Sequence, residues 1–116
     1  MSRITAPQET TPQAATRPVL ALRAGNVRCC LPLEQVERVL FLPGADALPG
    51  APPWVVGLVD LPEGSVPLID LSIRLGFPRQ EPYSLEDSIV LCRPGERAGA
   101  LLPGEVLGLR EAGSGE

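Results

Sequence analysis

Two carboxylates, Asp60 and Glu63, flank a predicted tight turn and are the first residues of this sequence that could do chemistry. They lie in the stretch GLVDLPEGSVPLIDLSIRLG, residues 57–76. Paired carboxylates can act as general acid and general base in hydrolysis. A solvated turn also favours acidic residues, and we adopt this second interpretation because no other catalytic group accompanies the pair.

The rest of the sequence lacks the residue types that most catalytic and metal sites use. It contains no histidine and no lysine, so all ten basic residues are arginine. Histidine-dependent nucleophiles, the commonest transition-metal ligand, Schiff bases and the lysine of phosphate-binding loops are therefore excluded. We expect no enzyme activity, no cofactor and no metal site.

Three cysteines, Cys29, Cys30 and Cys92, do not have the spacing of a zinc site. Cys29 and Cys30 are adjacent in a predicted strand, so their side chains should point to opposite faces, which disfavours a disulfide between them. We predict that the cysteines are small buried hydrophobic residues, with a redox role as the alternative.

The composition predicts one globular domain in the cytoplasm. A chain of 116 residues with 44% hydrophobic residues can bury a core of its own. No apolar run approaches the roughly 20 residues of a membrane helix, and the N-terminal segment contains no apolar stretch typical of a secretory signal. The formal net charge of −4, with arginines scattered along the chain, argues against a nucleic-acid partner.

Fourteen prolines and twelve glycines divide the chain into short segments, which is typical of an all-β barrel or sandwich. We predict flexible tails at residues 1–17 and 111–116 and a single domain at 18–110. The segment 33–42, LEQVERVLFL, fits both a short helix and a strand with Val36, Arg38, Leu40 and Leu42 on one face. Strands are expected at 19–22, 27–31, 54–61, 65–69, 88–92, 98–102 and 106–109.

Local signals predict how these segments are connected. Gly25-Asn26 and Pro62-Glu63-Gly64 fit hairpin turns, and Arg93-Pro94-Gly95-Glu96 fits a type II turn. Asp70 is predicted to cap a short helix that ends at Gly76.

Proline limits strand pairing at two places. The segment 43–53 is predicted to be a loop without ladder pairing. Pro67 must lie at a sheet edge, at a bulge, or with its nitrogen pointing away from a neighbouring strand.

The order of these segments resembles that of the CheW-like domain, the adaptor module of bacterial chemosensory systems, over about residues 19–109. The matching motifs are CCLPLEQVERV, LPGAPPWVVGLVDL, GSVPLIDLSIRLG and SIVLCRPGERAGALLPGEVLGL, in the order typical of the family. The resemblance implies a mostly β fold with small barrels of short antiparallel strands and one short helix after Asp70. It also implies a strand from Val36 onward and a C-terminal part shorter than is usual for the family.

The resemblance further implies a non-catalytic adaptor that couples receptors to a histidine kinase. The expected partners are a methyl-accepting chemoreceptor and the regulatory domain of a chemotaxis-type histidine kinase. Motif matching assigns partner binding to one strand, one turn and one position of a later strand, namely Val36, Glu37, Arg38, Leu61, Pro62, Glu63, Gly64 and Gly99. Core packing of Val36 and simple solvation of the charged residues remain alternatives.

Three departures from the family pattern leave a second function open. The family turn, Asn-Leu-Arg-Gly, carries an arginine linked to coupling, whereas this turn carries Glu63, which would repel a partner that suits an arginine. Pro103-Gly104-Glu105 replaces the Val-Asp-x-Val step, and the short C-terminal part would leave strand edges open to self-association. The alternative is therefore a degenerate CheW-like module that binds a kinase, an adaptor or itself without receptor coupling.

Overall fold

The computed structural model describes residues 17–78, 82–93 and 97–112. The elements of these residues are β1 (Arg17–Ala24), β2 (Val27–Pro32), a 3₁₀ turn (Leu33–Gln35), β3 (Val36–Phe41), β4 (Val55–Leu61), β5 (Gly64–Asp70), α1 (Leu71–Arg74), β6 (Ser88–Cys92), β7 (Gly99–Leu102) and β8 (Glu105–Ala112). The prediction of a mostly β fold is confirmed. The ambiguous segment 33–42 forms the 3₁₀ turn followed by a strand from Val36.

The strands form two sheets, one with the order β2-β1-β8 and one with the order β3-β6-β7-β5-β4. Strands β5 and β7 pair in parallel, with Leu68 opposite Ala100, so the expectation of antiparallel pairing is wrong for this pair. The parallel pair arises because the β6–β7 hairpin inserts between β3 and β5. Among the described residues, no ladder closes either sheet into a barrel.

One face of the five-stranded sheet encloses the main hydrophobic core. Side chains alternate between the two faces of a strand, and Ile89 and Leu91 of β6 point to this face. Residues of all five strands contribute to or pack against the cluster, which requires the sheet to curl around it. The buried members are Leu42, Val59, Val66, Leu68, Ile89, Leu91, Ala100 and Leu102.

The opposite face of β6 packs against the three-stranded sheet. Val90 and Cys92 form a second cluster there with Leu20 and Leu22 of β1. We call this the intersheet cluster. Strand β6 is therefore buried on both faces, and it joins the two sheets.

The hairpin at Gly25-Asn26 is confirmed as a two-residue turn between β1 and β2. Gly25 has a φ of +59°, and a Cβ at this position would lie 2.5 Å from the ring of Phe77. Glycine is needed here both for the backbone conformation and for the close approach of the ring. The predicted type II turn lies outside the described residues, since these exclude 94–96.

Asp70 caps α1 as predicted, and its carboxyl group is fully buried. Oδ1 accepts a hydrogen bond from the backbone N–H of Ile73 at 3.1 Å. Oδ2 accepts one from the hydroxyl of Tyr83 at 2.9 Å. The helix ends at Arg74, two residues before the predicted Gly76, and the N–H of Gly76 donates to the carbonyl of Ile73 at 2.9 Å in the turn that follows.

The expectation that the segment 43–53 makes no ladder contact is wrong at Asp46. Asp46 and Leu58 exchange backbone hydrogen bonds of 2.8 and 2.9 Å. Because Leu58 uses both its backbone groups on Asp46, its pair with Pro67 on the other side carries no ladder bonds. The nitrogen of Pro67 therefore points away from β4, which is the third arrangement foreseen for this proline.

Other features at the chain ends and cysteines differ in detail from expectation. Strand β8 continues through Ala112, two residues into the segment expected as a tail, and β1 begins at Arg17. Cys92 is buried as predicted, and burial together with the Glu37 carboxylate raises the pKa of its thiol. The prediction is wrong for Cys30, which is exposed because it lies opposite Ala21, on the side of the ladder that faces away from the intersheet cluster.

No helix within the described ranges is long and apolar enough to cross a membrane.

The contact between Gly57 and the segment 43–53 generates a prediction about stability. A Cβ at Gly57 would lie 2.2 Å from the carbonyl oxygen of Asp46 and 2.7 Å from its carbon. These are backbone atoms held by the pairing with Leu58, so Gly57→Ala must push the segment away and lose that pairing. We expect the free energy of unfolding, measured by urea denaturation, to fall by about 2 kcal/mol or more.

Gly99→Ala is the matched control, because a Cβ at this position of β7 would meet no atom within 4 Å. Its free energy of unfolding should stay within about 0.5 kcal/mol of the original protein. Equal stability of the two variants would contradict the role assigned to Gly57.

Candidate functional site

Two of the residues predicted for partner binding, Arg38 and Glu63, form an ion pair across the opening of the curled sheet. Arg38 lies on β3 and Glu63 lies in the turn between β4 and β5. Strands β3 and β4 are the two outer strands of the five-stranded sheet. Nη2 of Arg38 donates to Oε1 of Glu63 at 3.0 Å, so the pair connects the opposite edges of the sheet.

The hydrogen bond from Arg38 lowers the pKa of the Glu63 carboxyl below its ordinary value. A backbone hydrogen bond of Glu63 and the positive charge of Arg93 act in the same direction. Glu63 is therefore ionised at neutral pH, and its charge is balanced by Arg38 within the same chain.

Glu37 and Arg93 form a second ion pair beside the first. Nε of Arg93 donates to Oε2 of Glu37. The backbone N–H of Arg93 also donates to the carbonyl of Gln35 at 3.0 Å, which fixes the segment after β6 against the start of β3. This end of the sheet thus presents two ion pairs, and in each the charges of a glutamate and an arginine balance.

A register shift in β3 separates the predicted residues onto different faces. The β3–β6 ladder shifts between Val36 and Arg38, so the expectation that they share a face is wrong for Val36. Arg38 lies opposite Leu91 of the main core, on the same face as Leu40. Val36 packs against the intersheet cluster, whereas Leu40 packs against the main core. A bulge at Glu37 is the physical reason, because one extra residue reverses the alternation.

The turn residues occupy three environments. Leu61 packs against the main core, and Pro62 and Gly64 are exposed. Asp60 accepts a hydrogen bond from the hydroxyl of Ser65 at 2.5 Å, so its partner differs from that of Glu63. Asp60 and Glu63, the two carboxylates considered for general acid–base chemistry, therefore bind different partners and do not form a catalytic pair.

Gly99 lies in an apolar groove of about 280 Å³ between the two sheets, which we call the intersheet groove. A Cβ at Gly99 would contact no atom within 4 Å, so the groove stays open there because β7 lacks a side chain. The groove adjoins the ion pairs through Gln35, which precedes Val36. Its lining includes Leu31, Gln35, Pro67, Arg97, Gly99 and Leu101.

Sequence reasoning missed two apolar residues of β3, Val39 and Phe41, which are 43% and 69% exposed. They lie opposite Val90 and Ser88, on the face of the sheet that bears the intersheet cluster. Their exposure shows that the three-stranded sheet does not cover the outer part of β3. Only the position of the bulge at Glu37 would have revealed this face. Without a bulge, the alternation of side chains places Val39 and Phe41 on the face of β3 that points away from Val36.

The domain is a small β module in which one strand joins two sheets. The apolar groove between the sheets and the two ion pairs beside it suit contacts with other proteins. The family model of the CheW-like domain matches residues 18–114. The chain belongs to the CheW-like domain family.

Two curated relatives come from rhizobia. The chain is 29% identical over 86 residues to the chemotaxis protein CheW of Rhizobium meliloti (strain 1021), covering 74% of this chain and 55% of that protein. It is 30% identical over 74 residues to the probable chemotaxis protein CheW of Rhizobium etli, covering 64% of this chain and 48% of that protein. The chain thus spans about half the length of the curated relatives it matches.

A solved structure shows the same fold. The scaffolding protein TtCheW from Thermoanaerobacter tengcongensis superimposes with a TM-score of 0.76 at 17% sequence identity. The match covers 90% of this chain and 68% of that protein.

The Arg38–Glu63 pair generates a prediction about titration. Arg38→Gln removes the main cause of the lowered pKa, so the pKa of Glu63, measured by NMR of its carboxyl carbon, should rise toward the ordinary value. A carboxyl whose pKa is lowered in the folded state adds stability above its unfolded pKa, and this stability is lost as pH falls through the lowered pKa. The variant should therefore show a weaker loss of stability in that acidic range.

Arg23→Gln serves as the control, because Arg23 pairs with Glu105 on the other sheet. It should leave the titration of Glu63 unchanged. A Glu63 pKa that is the same in the Arg38 variant and in the original protein would contradict the assigned pairing.

Proposed function

We propose that this chain is a non-catalytic adaptor in the cytoplasm, where it couples a methyl-accepting chemoreceptor to the regulatory domain of a chemotaxis-type histidine kinase. The main support is the intersheet groove at Gly99, which adjoins the β3 segment Val36–Arg38 in a CheW-like domain. Sequence similarity to two rhizobial CheW proteins of chemotaxis points in the same direction.

The groove has the properties of a contact site for an apolar helix of a receptor. It is concave and lined mainly by apolar side chains, and Arg97 at its margin supplies a positive charge. Concave apolar surfaces with few polar groups are typical protein and ligand contact sites, and amphipathic helices commonly bind in such grooves. We assign the receptor contact to this groove and to the adjoining residues of β3.

The turn Leu61–Gly64 is assigned to contact with the kinase domain. Because Glu63 is already paired with Arg38, the turn presents almost no net charge to a partner. A positively charged group of the partner must displace Arg38 in order to pair with Glu63. Contacts at this turn therefore depend on the exposed Pro62 and Gly64 and on the shape of the turn.

The Arg38–Glu63 pair also favours the second candidate, a degenerate module without receptor coupling. The family turn carries an arginine linked to coupling, and here the acidic residue of the turn is neutralised within the chain. In this alternative the domain binds a kinase, an adaptor or a second copy of itself through the outer strands β2 and β8, which have one neighbour each in the described sheet.

Gly99→Leu tests the assignment of the groove. The added side chain enters open space in β7, so the protein should remain folded while the groove is filled. Binding to the purified cytoplasmic tip of a chemoreceptor of the same organism, measured by calorimetry, should weaken by about tenfold or more, since a filled pocket excludes the partner's apolar residues.

Ala45→Leu is the matched control, because it adds a similar side chain at an exposed loop position away from the groove. It should bind the receptor tip like the original protein. Equal binding by the Gly99 and Ala45 variants would place the receptor contact elsewhere.

Sedimentation equilibrium separates the adaptor from the degenerate module. In the centrifuge, the adaptor should form complexes with both the kinase regulatory domain and the receptor tip. In a separate kinase assay, it should raise the receptor-dependent kinase activity. A chain that binds the kinase without changing this activity, or that dimerises and ignores the kinase, supports the alternative. A chain that binds neither partner and remains monomeric contradicts both.

A further inference from the structure

Two arginines face each other on the side of the three-stranded sheet that points away from the five-stranded sheet. Leu20 and Leu22 of β1 belong to the intersheet cluster, so the odd-numbered residues of β1 point to the opposite side. Arg23 is one of these residues, and its ladder partner on β2 is Arg28. Residues directly opposite in a ladder share a face, so both arginines lie on this outer side.

Strands β8 and β1 add two more arginines to the same side. Arg110 lies opposite Val19, and Arg17 lies opposite Ala112. The register shift next to Ala21 sets this alignment. We call the surface formed by Arg17, Arg23, Arg28 and Arg110 the arginine face. The expectation that the arginines are scattered is wrong for these four, because the ladder gathers residues that are distant in sequence.

The arginine face is only partly neutralised. Among its ladder positions in the described strands, the acidic residue is Glu105, which pairs with Arg23. Nη1 of Arg110 donates to the carbonyl of Leu109 at 2.9 Å, a contact that leaves its charge in place. The formal net charge of the chain is −4. At these ladder positions, however, four arginines stand against one glutamate, and Glu34, in the turn after β2, adds a second carboxylate at the Arg17 end. Such concentration of one sign of charge attracts partners of the opposite sign.

A cavity of about 680 Å³ opens at one end of the arginine face. Val19 and Pro32, which are opposite each other in the β1–β2 ladder, line it together with Pro18, Leu33 and Ala112. Arg17 and Glu34 add one charge of each sign to the lining. An apolar concavity beside exposed guanidinium groups suits a ligand that carries both an apolar side chain and carboxylates.

We propose that the arginine face binds an acidic peptide segment of a partner protein. One apolar side chain of the segment enters the cavity over Val19 and Pro32, and its carboxylates pair with Arg28 and Arg110. The rise of a strand places Arg23 about 13 Å from Val19, so four or five extended residues reach along the face. The forked guanidinium binds carboxylates through two parallel hydrogen bonds, and arginine is enriched at protein interfaces.

A nucleic-acid ligand fits this face less well than an acidic peptide. The ladder positions of the face hold no aromatic side chain for base stacking, whereas the apolar cavity at its end suits a side chain of a peptide. The face lies on the opposite side of the three-stranded sheet from the intersheet groove. The inference therefore stands independently of the proposed function.

The test uses a fluorescein-labelled peptide of glutamates and aspartates with one central leucine, titrated with the full chain at low ionic strength and followed by anisotropy. Arg28→Glu and Arg110→Glu, each made singly, should weaken binding by about fivefold because an exposed ion pair is replaced by repulsion. Replacement of the peptide leucine by serine should also weaken binding, since the cavity loses its apolar occupant.

Arg74→Glu is the matched control, because it makes the same charge change on α1, away from the arginine face. It should leave the affinity for the peptide unchanged. Equal affinities of the Arg28, Arg110 and Arg74 variants would overturn the proposal. Binding of a single-stranded oligonucleotide or of phosphatidylserine vesicles, without binding of the peptide, would overturn it in favour of another anion.

Discussion

Strand β6 is buried on both faces, and the arrangement of the whole domain depends on this constraint. Ile89 and Leu91 fill the main core, whereas Val90 and Cys92 pack against the three-stranded sheet. Full burial of such aliphatic side chains stabilises a fold by roughly 1.5–3 kcal/mol each. A strand that must be apolar on both sides holds two layers at a fixed distance and orientation, because neither sheet can shift without exposing one of the clusters.

The candidate surfaces follow from how far each layer extends beyond that shared strand. Where the three-stranded sheet ends, the lack of a side chain at Gly99 leaves the intersheet groove open. Where the five-stranded sheet curls until its edges approach, Arg38 meets Glu63. Within residues 17–78, 82–93 and 97–112, no third layer of strands lies on the outer side of the three-stranded sheet, so this side can carry arginines that a buried face would exclude. One acidic chain therefore presents a charge-balanced region at the two ion pairs and a basic region at the arginine face.

Features that depend on neighbouring residues were predictable from the sequence. The Gly25-Asn26 turn, the Asp70 cap and the strand expected at SIVLC rest on local backbone and side-chain chemistry, and the structure contains all of them. The presence of a strand from Val36 followed from the family resemblance, since the periodicity of LEQVERVLFL allowed a helix as well.

Features that depend on ladder register were not predictable. The bulge at Glu37 sends Val36 and Leu40 to different clusters, and a single inserted residue leaves no clear mark in the sequence pattern. The Arg38–Glu63 pair requires the curl of a sheet whose strand order differs from the sequence order. The arginine face likewise requires knowledge of which residues of β2 and β8 lie opposite those of β1.

The position of β1 between β2 and β8 also has a consequence for the order in which the chain folds. Leu20 pairs with Leu31 on one side but with Leu109 on the other, so half of its neighbours are synthesised almost at the end of the described chain. Contacts between residues so far apart in sequence raise the contact order and slow folding. During synthesis on the ribosome, the β1–β2 hairpin must wait with one edge unpaired until β8 emerges, and chaperones have their clearest opportunity to bind during that interval.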